Sequence, residues 1–167
     1  MTEPALLDVL RGIRFLDDIG EDDIHRIASV ARIETYQPGA VVFREGDRLT
    51  RIFLVALGNV ALEVRVAGRG ARRIHTVGTG ELLGWSPVLD QGPMTATARA
   101  VTPTQVVAID AFQVLALCHQ DPGFGVTFMR RTALALAQRL NATRLQLLDV
   151  YGAELPVVAG AGEGAVQ

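Results

Sequence analysis

The sequence contains no lysine, and all 16 of its basic residues are arginine. Chemistry that needs a lysine amine, including Schiff bases and the lysine of a phosphate-binding P-loop, is therefore excluded. Cysteine is nearly as scarce. A single residue, Cys118, rules out a disulfide framework, a thiolate zinc site and a four-cysteine iron–sulfur cluster. With 16 basic against 18 acidic residues, the net charge of −2 lacks the basic excess of a nucleic-acid-coating or polybasic membrane protein. No basic-then-apolar leader opens the chain, and no apolar run reaches ~18 residues. The expectation is a soluble, cytoplasmic protein without membrane contact. What is present is a chain of 167 residues, 49% of them apolar, enough for one domain with a real core.

Three textures follow one another. Residues 1–31 read as helical: Leu6, Leu7, Val9 and Leu10 cluster, Gly12 interrupts, and a second helix starts near Glu21 with Ile24, Ile27, Ala28 and Ala31 on one face. Residues 32–110 read as short strands separated by Gly, Pro and Asp. The candidates are Ile33–Tyr36, Val41–Arg44, Ile52–Leu57, Val60–Val66, Arg73–Val77, Thr95–Val101 and Gln105–Ile109. In Val60–Val66 the alternation places Val60, Leu62, Val64 and Val66 on one face. So many short strands suggest a sandwich or barrel.

Residues 111–151 return to helix, first to about His119 and then, after Asp121-Pro122-Gly123, from about Phe124 to Tyr151. On the long helix Ala133, Leu140 and Leu147 recur every seven residues, with Leu136, Thr143 and Val150 three places on. That narrow stripe reads as the seam of a homodimer. The alternative is a helix laid on its own barrel, but at roughly 40 Å it outreaches a small one. Residues 152–167, rich in Gly and Ala, read as a disordered tail.

Three stretches together resemble the cyclic-nucleotide-binding domain of the catabolite-activator (Crp/Fnr) superfamily. They are Gln37-Pro38-Gly39 through Glu45-Gly46-Asp47, Ile52-Phe53-Leu54-Val55 through Gly58-Asn59-Val60, and Gly78-Thr79-Gly80-Glu81-Leu82-Leu83-Gly84. The resemblance spans residues 5–151 in matching order and spacing. Gly39, Gly46, Gly58 and Gly80 fall at the turns it implies, where a Cβ would clash. It implies a mainly β protein with flanking helices: a double-stranded β-helix or jelly-roll barrel of eight strands, then a long C-terminal dimerisation helix.

In that superfamily a phosphate-binding cassette follows the third stretch. A short helix start offers peptide N–H groups, a Glu holds the ribose hydroxyl, and an Arg pairs with the cyclic phosphate. Here the register puts Trp85 at the Glu position and Met94 at the Arg position, within Pro93-Met94-Thr95-Ala96-Thr97. Glu81 comes four positions early and matches a turn residue. Arg99 lies an odd number of positions beyond Met94, so on a strand it points to the other face. Losing one charge-assisted bond costs roughly 1.5–3 kcal/mol, about tenfold to over a hundredfold in affinity.

A small-molecule effector, cyclic nucleotide or other, would sit among Gly84, Trp85, Ser86, Val88 and Leu89, beside Met94 and Thr95. In the superfamily the long helix closes over the base, and its polar residues near that place are Gln138, Arg139 and Asn141. Gln138 and Asn141 are taken into the candidate pocket. Trp85 and Met94 either fill a vestigial pocket or line an apolar cleft for a less anionic ligand.

Other chemistry finds little support. Cys118 and His119 are adjacent on a helix and diverge by about 100°, unlike a nucleophile–base pair. His25, His75 and His119 lie far apart and form no haem or metal motif. DNA-binding relatives carry a helix-turn-helix module after the long helix, a unit of about 50 residues or more, and only 16 residues follow Tyr151. The expectation is a non-enzymatic sensor without cofactor or metal, binding no nucleic acid directly and acting through an unidentified partner protein. Two alternatives stay open: a genuine cyclic AMP or cyclic GMP receptor using peptide donors of the cassette, and a ligand-free assembly subunit.

Overall fold

The computed structural model describes residues 3–151; the stretch 152–167, expected as a disordered tail, lies outside the described residues. Helix α1 (Glu3–Arg11), a 3-10 turn (Arg14–Leu16) and α2 (Glu21–Ser29) precede eight strands. The strands are β1 (Ala31–Tyr36), β2 (Val41–Phe43), β3 (Arg51–Leu57), β4 (Val60–Val66), β5 (Gly70–Val77), β6 (Leu82–Leu83), β7 (Thr97–Ala100) and β8 (Thr104–Asp110). Helices α3 (Ala111–Gln120) and α4 (Pro122–Tyr151) complete the fold. Ala31, expected on the second helix, opens β1 instead.

Two four-stranded antiparallel sheets, ordered β1-β8-β3-β6 and β2-β7-β4-β5, form a jelly roll. Strand β3 shows why the first sheet reads as continuously apolar. Phe53 and Val55 enter the core between the sheets, with Phe43, Leu83 and Val106. Ile52 and Leu54 face the other way, into a second core built with Leu10, Ile27, Val114 and Phe128 from the helices. Successive strand residues point to opposite faces, so a strand covered on both sides has no polar side.

On β4 the expected alternation fails, because Val60, Ala61 and Leu62 are all buried. Ala61 is small and sits between its cross-strand neighbours Thr76 and Arg99, and a register shift follows Leu62. The short strand β6 is the one that strand-like patterning missed; two residues carry no period. The turn glycines Gly39, Gly46, Gly58 and Gly80 all have positive φ. At Gly39 and Gly46 a Cβ would meet nothing within 4 Å, so backbone conformation rather than a clash requires glycine there. At Gly58 both reasons hold, since a Cβ would lie 2.5 Å from the Pro103 carbonyl oxygen.

Asp110 caps α3 by accepting from the Gln113 N–H at 2.9 Å. Helix α4 starts two residues earlier than expected. Pro122 suits a first helical position, and the Asp121 carboxylate accepts from the Phe124 N–H at 3.1 Å. The front of α4 is anchored by Phe124, Phe128 and Thr132. Its far half leaves the barrel: Leu140, Leu145, Leu147, Leu148 and Val150 are all more than half exposed. Among the described residues, no helix is long and apolar enough to cross a membrane.

Candidate functional site

The cassette begins at Gly84, whose φ of +74° turns the chain out of β6. A Cβ there would press on Phe43 at 3.4 Å and on Leu49 and Phe53 at 3.5 Å, so glycine lets this turn lie directly on the core. Trp85 precedes a 3-10 turn, Ser86–Val88, with Pro87 near its start. The Ser86 hydroxyl donates to the Asp90 carboxylate, which also accepts from the Gly92 N–H at 3.1 Å. Those two bonds hold the Asp90 carboxyl below its ordinary pKa. The loop is thus closed by its own hydrogen bonds.

Met94 is fixed from both sides: its N–H donates to the Asp47 carbonyl at 2.8 Å and its carbonyl accepts from Gly46 at 2.7 Å. From Met94 onward every second residue is buried, through Ala96, Ala98 and Ala100. The Met94 side chain, 7% exposed, belongs to the core between the sheets with Phe43, Phe53 and Leu83. Thr95 is exposed. Arg99 donates to Glu63 at 3.1 Å and to the Gly39 carbonyl at 2.9 Å. It does not reach the Met94 pocket, as its odd offset predicts. Glu81 accepts from the Gly78 N–H at 2.6 Å and so closes a turn.

Around Trp85 and Met94 remains a cavity of about 120 Å³. Of the residues expected there, Gly84, Trp85, Ser86, Met94 and Thr95 line it. Val88 and Leu89 do not: Val88 turns into the core beneath the helices, and Leu89 is 47% exposed. Gln138 lines a separate cleft, and Asn141 is exposed and lines neither cavity.

The side chain of α4 that does reach the cassette is Arg139. Its guanidinium lies 4.7 Å from the Trp85 ring centroid, and its Nη2 donates to the Leu82 carbonyl at 2.7 Å. Nη1 is buried and has no hydrogen-bond partner among the described residues. Burial lowers the pKa of this guanidinium, partly offset by Glu81. The periodicity of α4 carried the signal for it: Phe124, Phe128, Thr132, Ala135 and Arg139 follow at steps of four, four, three and four along one face. Reading only the polar residues of the helix hid that continuity.

The second cleft, about 310 Å³, opens between the Arg14–Leu16 turn, the Gly80–Leu82 segment and α4, and Arg139 belongs to its wall as well. Elsewhere the site offers little chemistry. Burial raises the pKa of the half-buried Cys118 thiol, which makes it a poorer nucleophile. Among the described residues no group of three or more His, Cys, Asp or Glu is placed to hold a metal ion.

Known proteins share this architecture. The chain is 28% identical over 141 residues to the HTH-type transcriptional regulator Cmr of Mycobacterium tuberculosis, covering 81% of this chain. It is 29% identical over 138 residues to the cyclic AMP receptor protein of Thermus thermophilus, covering 83% of this chain. It spans 53% and 62% of those two proteins' lengths. A cyclic nucleotide-binding domain from Methylobacillus flagellatus superposes with a TM-score of 0.74 at 18% identity, over 95% of this chain and 86% of its own. The cyclic nucleotide-binding domain model matches residues 33–121, from β1 through the barrel to the end of α3, and with that match over half its length this chain belongs to the cyclic nucleotide-binding domain family.

Proposed function

We propose that this chain is a non-enzymatic regulatory module whose cassette no longer recognises cyclic AMP or cyclic GMP in the family's ordinary way, and which signals through α4 to a partner protein. The observation that carries this reading is the occupation of the cassette by its own side chains. Trp85 and Met94 stand at the positions of the ribose-binding Glu and phosphate-binding Arg, Met94 is part of the core, and Arg139 lies over Trp85. The cavity of about 120 Å³ left between them is well below the ~300 Å³ at which small-molecule pockets begin.

Helix α4 is the output element on this reading. Arg139 joins it to the cassette, and beyond that point it presents an apolar surface that includes Leu140, Leu147 and Val150. We assign that surface to a homodimer seam, formed with Ala133, Leu136 and Thr143. We assign no direct DNA binding to this domain, because its arginines are dispersed. Arg11, Arg26, Arg51, Arg99 and Arg131 are each engaged with a carboxylate.

Isothermal titration calorimetry of the full chain with cyclic AMP and cyclic GMP tests the proposal. The expected result is no saturable heat at micromolar nucleotide. A micromolar dissociation constant for either would overturn it and restore the receptor reading.

A further inference from the structure

The 310 Å³ cleft beside the cassette has the size of a small-molecule site, whereas the cassette cavity does not. Its charged lining is uneven in how far each group is already engaged. Arg131 is fully tied, donating to the carbonyls of Arg14 and Phe15 and to Asp18. Arg14 is exposed, and among the described residues its charge is met only by Glu81, 3.6 Å away. Arg139 keeps Nη1 buried without an acceptor. Against these stand two carboxylates, Asp17 and Glu81, the second already accepting from Gly78. His75 completes the wall, and burial together with Arg139 lowers its pKa, with Glu81 opposing.

A buried guanidinium N–H without an acceptor costs free energy, and an oxyanion is the acceptor that relieves it best. Leu82, Leu134 and Ala135 supply an apolar side to the same cleft. We propose that the cleft between Arg14 and Arg139 binds a small organic oxyanion, a phosphate or carboxylate carrying a short apolar group, at a site separate from the cassette. Nη1 has no exposed surface, so an anion engages it only as the guanidinium turns toward the cleft, and that turn competes with its place on Trp85 and its bond to the Leu82 carbonyl. Occupancy of the cleft therefore reaches the cassette and α4 through one side chain.

Trp85 is the sole tryptophan of the chain, and its emission reports on this contact. The full chain is titrated with butyl phosphate and with butyrate, beside butanol and sodium chloride at matched ionic strength. The expected result is a saturable change in Trp85 emission with at least one of the two anions and none with butanol or chloride; which anion responds identifies the headgroup. Arg14→Gln weakens the response about tenfold or more, Asp17→Asn tightens it, and Arg144→Gln, outside the cleft, leaves it unchanged. No saturable response to either anion, an equal response to chloride, or indifference to Arg14→Gln would overturn the proposal. No cyclic nucleotide is present in this titration, so its outcome is independent of the cassette reading.

Discussion

At Arg139 a guanidinium is buried with one hydrogen bond, one aromatic face and one nitrogen, Nη1, unmatched among the described residues. A side chain kept for stability alone would gain by losing that charge, since a buried ion with incomplete partners is often no better than an apolar residue of similar shape. Arg139→Met, which keeps the stem, is expected to leave stability within about 1 kcal/mol by urea unfolding while shifting Trp85 emission. A loss of several kcal/mol would make Arg139 a structural residue instead. His75, in the same wall, gives a pH signature. Burial, then Arg139, lower its pKa from the ordinary 6.5, with Glu81 opposing. In acid the unfolded chain takes up a proton at this position before the folded chain does. Stability therefore falls as pH drops below about 6.5, and His75→Gln is expected to flatten that slope in urea midpoints measured across the window. An unchanged slope would remove His75 as its source.

Among the elements, α4 is divided. Its front half packs Phe128 against Phe15 and Phe124 at ring distances of 5.8 and 5.7 Å, whereas its back half touches little of its own chain. If the stripe through Leu140 is a dimer seam, Leu140→Glu places two like charges near the axis and yields a monomer by sedimentation velocity, with circular dichroism of the barrel unchanged. A dimer that survives the substitution would contradict the seam. The strands show how far pattern reading carries. Long apolar runs such as Ile52–Leu57 announced β3, and glycine turns marked the hairpins around it. Leu82–Leu83 was too short to have a period, and Ala61 is buried through its cross-strand neighbours, which are remote in sequence. Within the cassette, spacing located Trp85 and Met94. It did not reveal that Val88 turns away or that Arg139 arrives from a helix more than 40 positions on, because both depend on how α4 lies across the barrel.

At the scale of the molecule, the jelly roll keeps the family's frame, and on the proposed reading its ligand chemistry has changed. By the register read in the sequence, Met94 stands where the superfamily uses a guanidinium, and the cationic group near the cassette, Arg139, comes from α4. We infer that Trp85 and Met94, not the frame around them, deny the cassette to cyclic nucleotides. Calorimetric titration of cyclic AMP into the unmodified chain and into Trp85→Glu/Met94→Arg separates the two causes. No saturable binding to the unmodified chain and measurable binding to the double variant are expected; saturable micromolar binding to the unmodified chain would refute the inference.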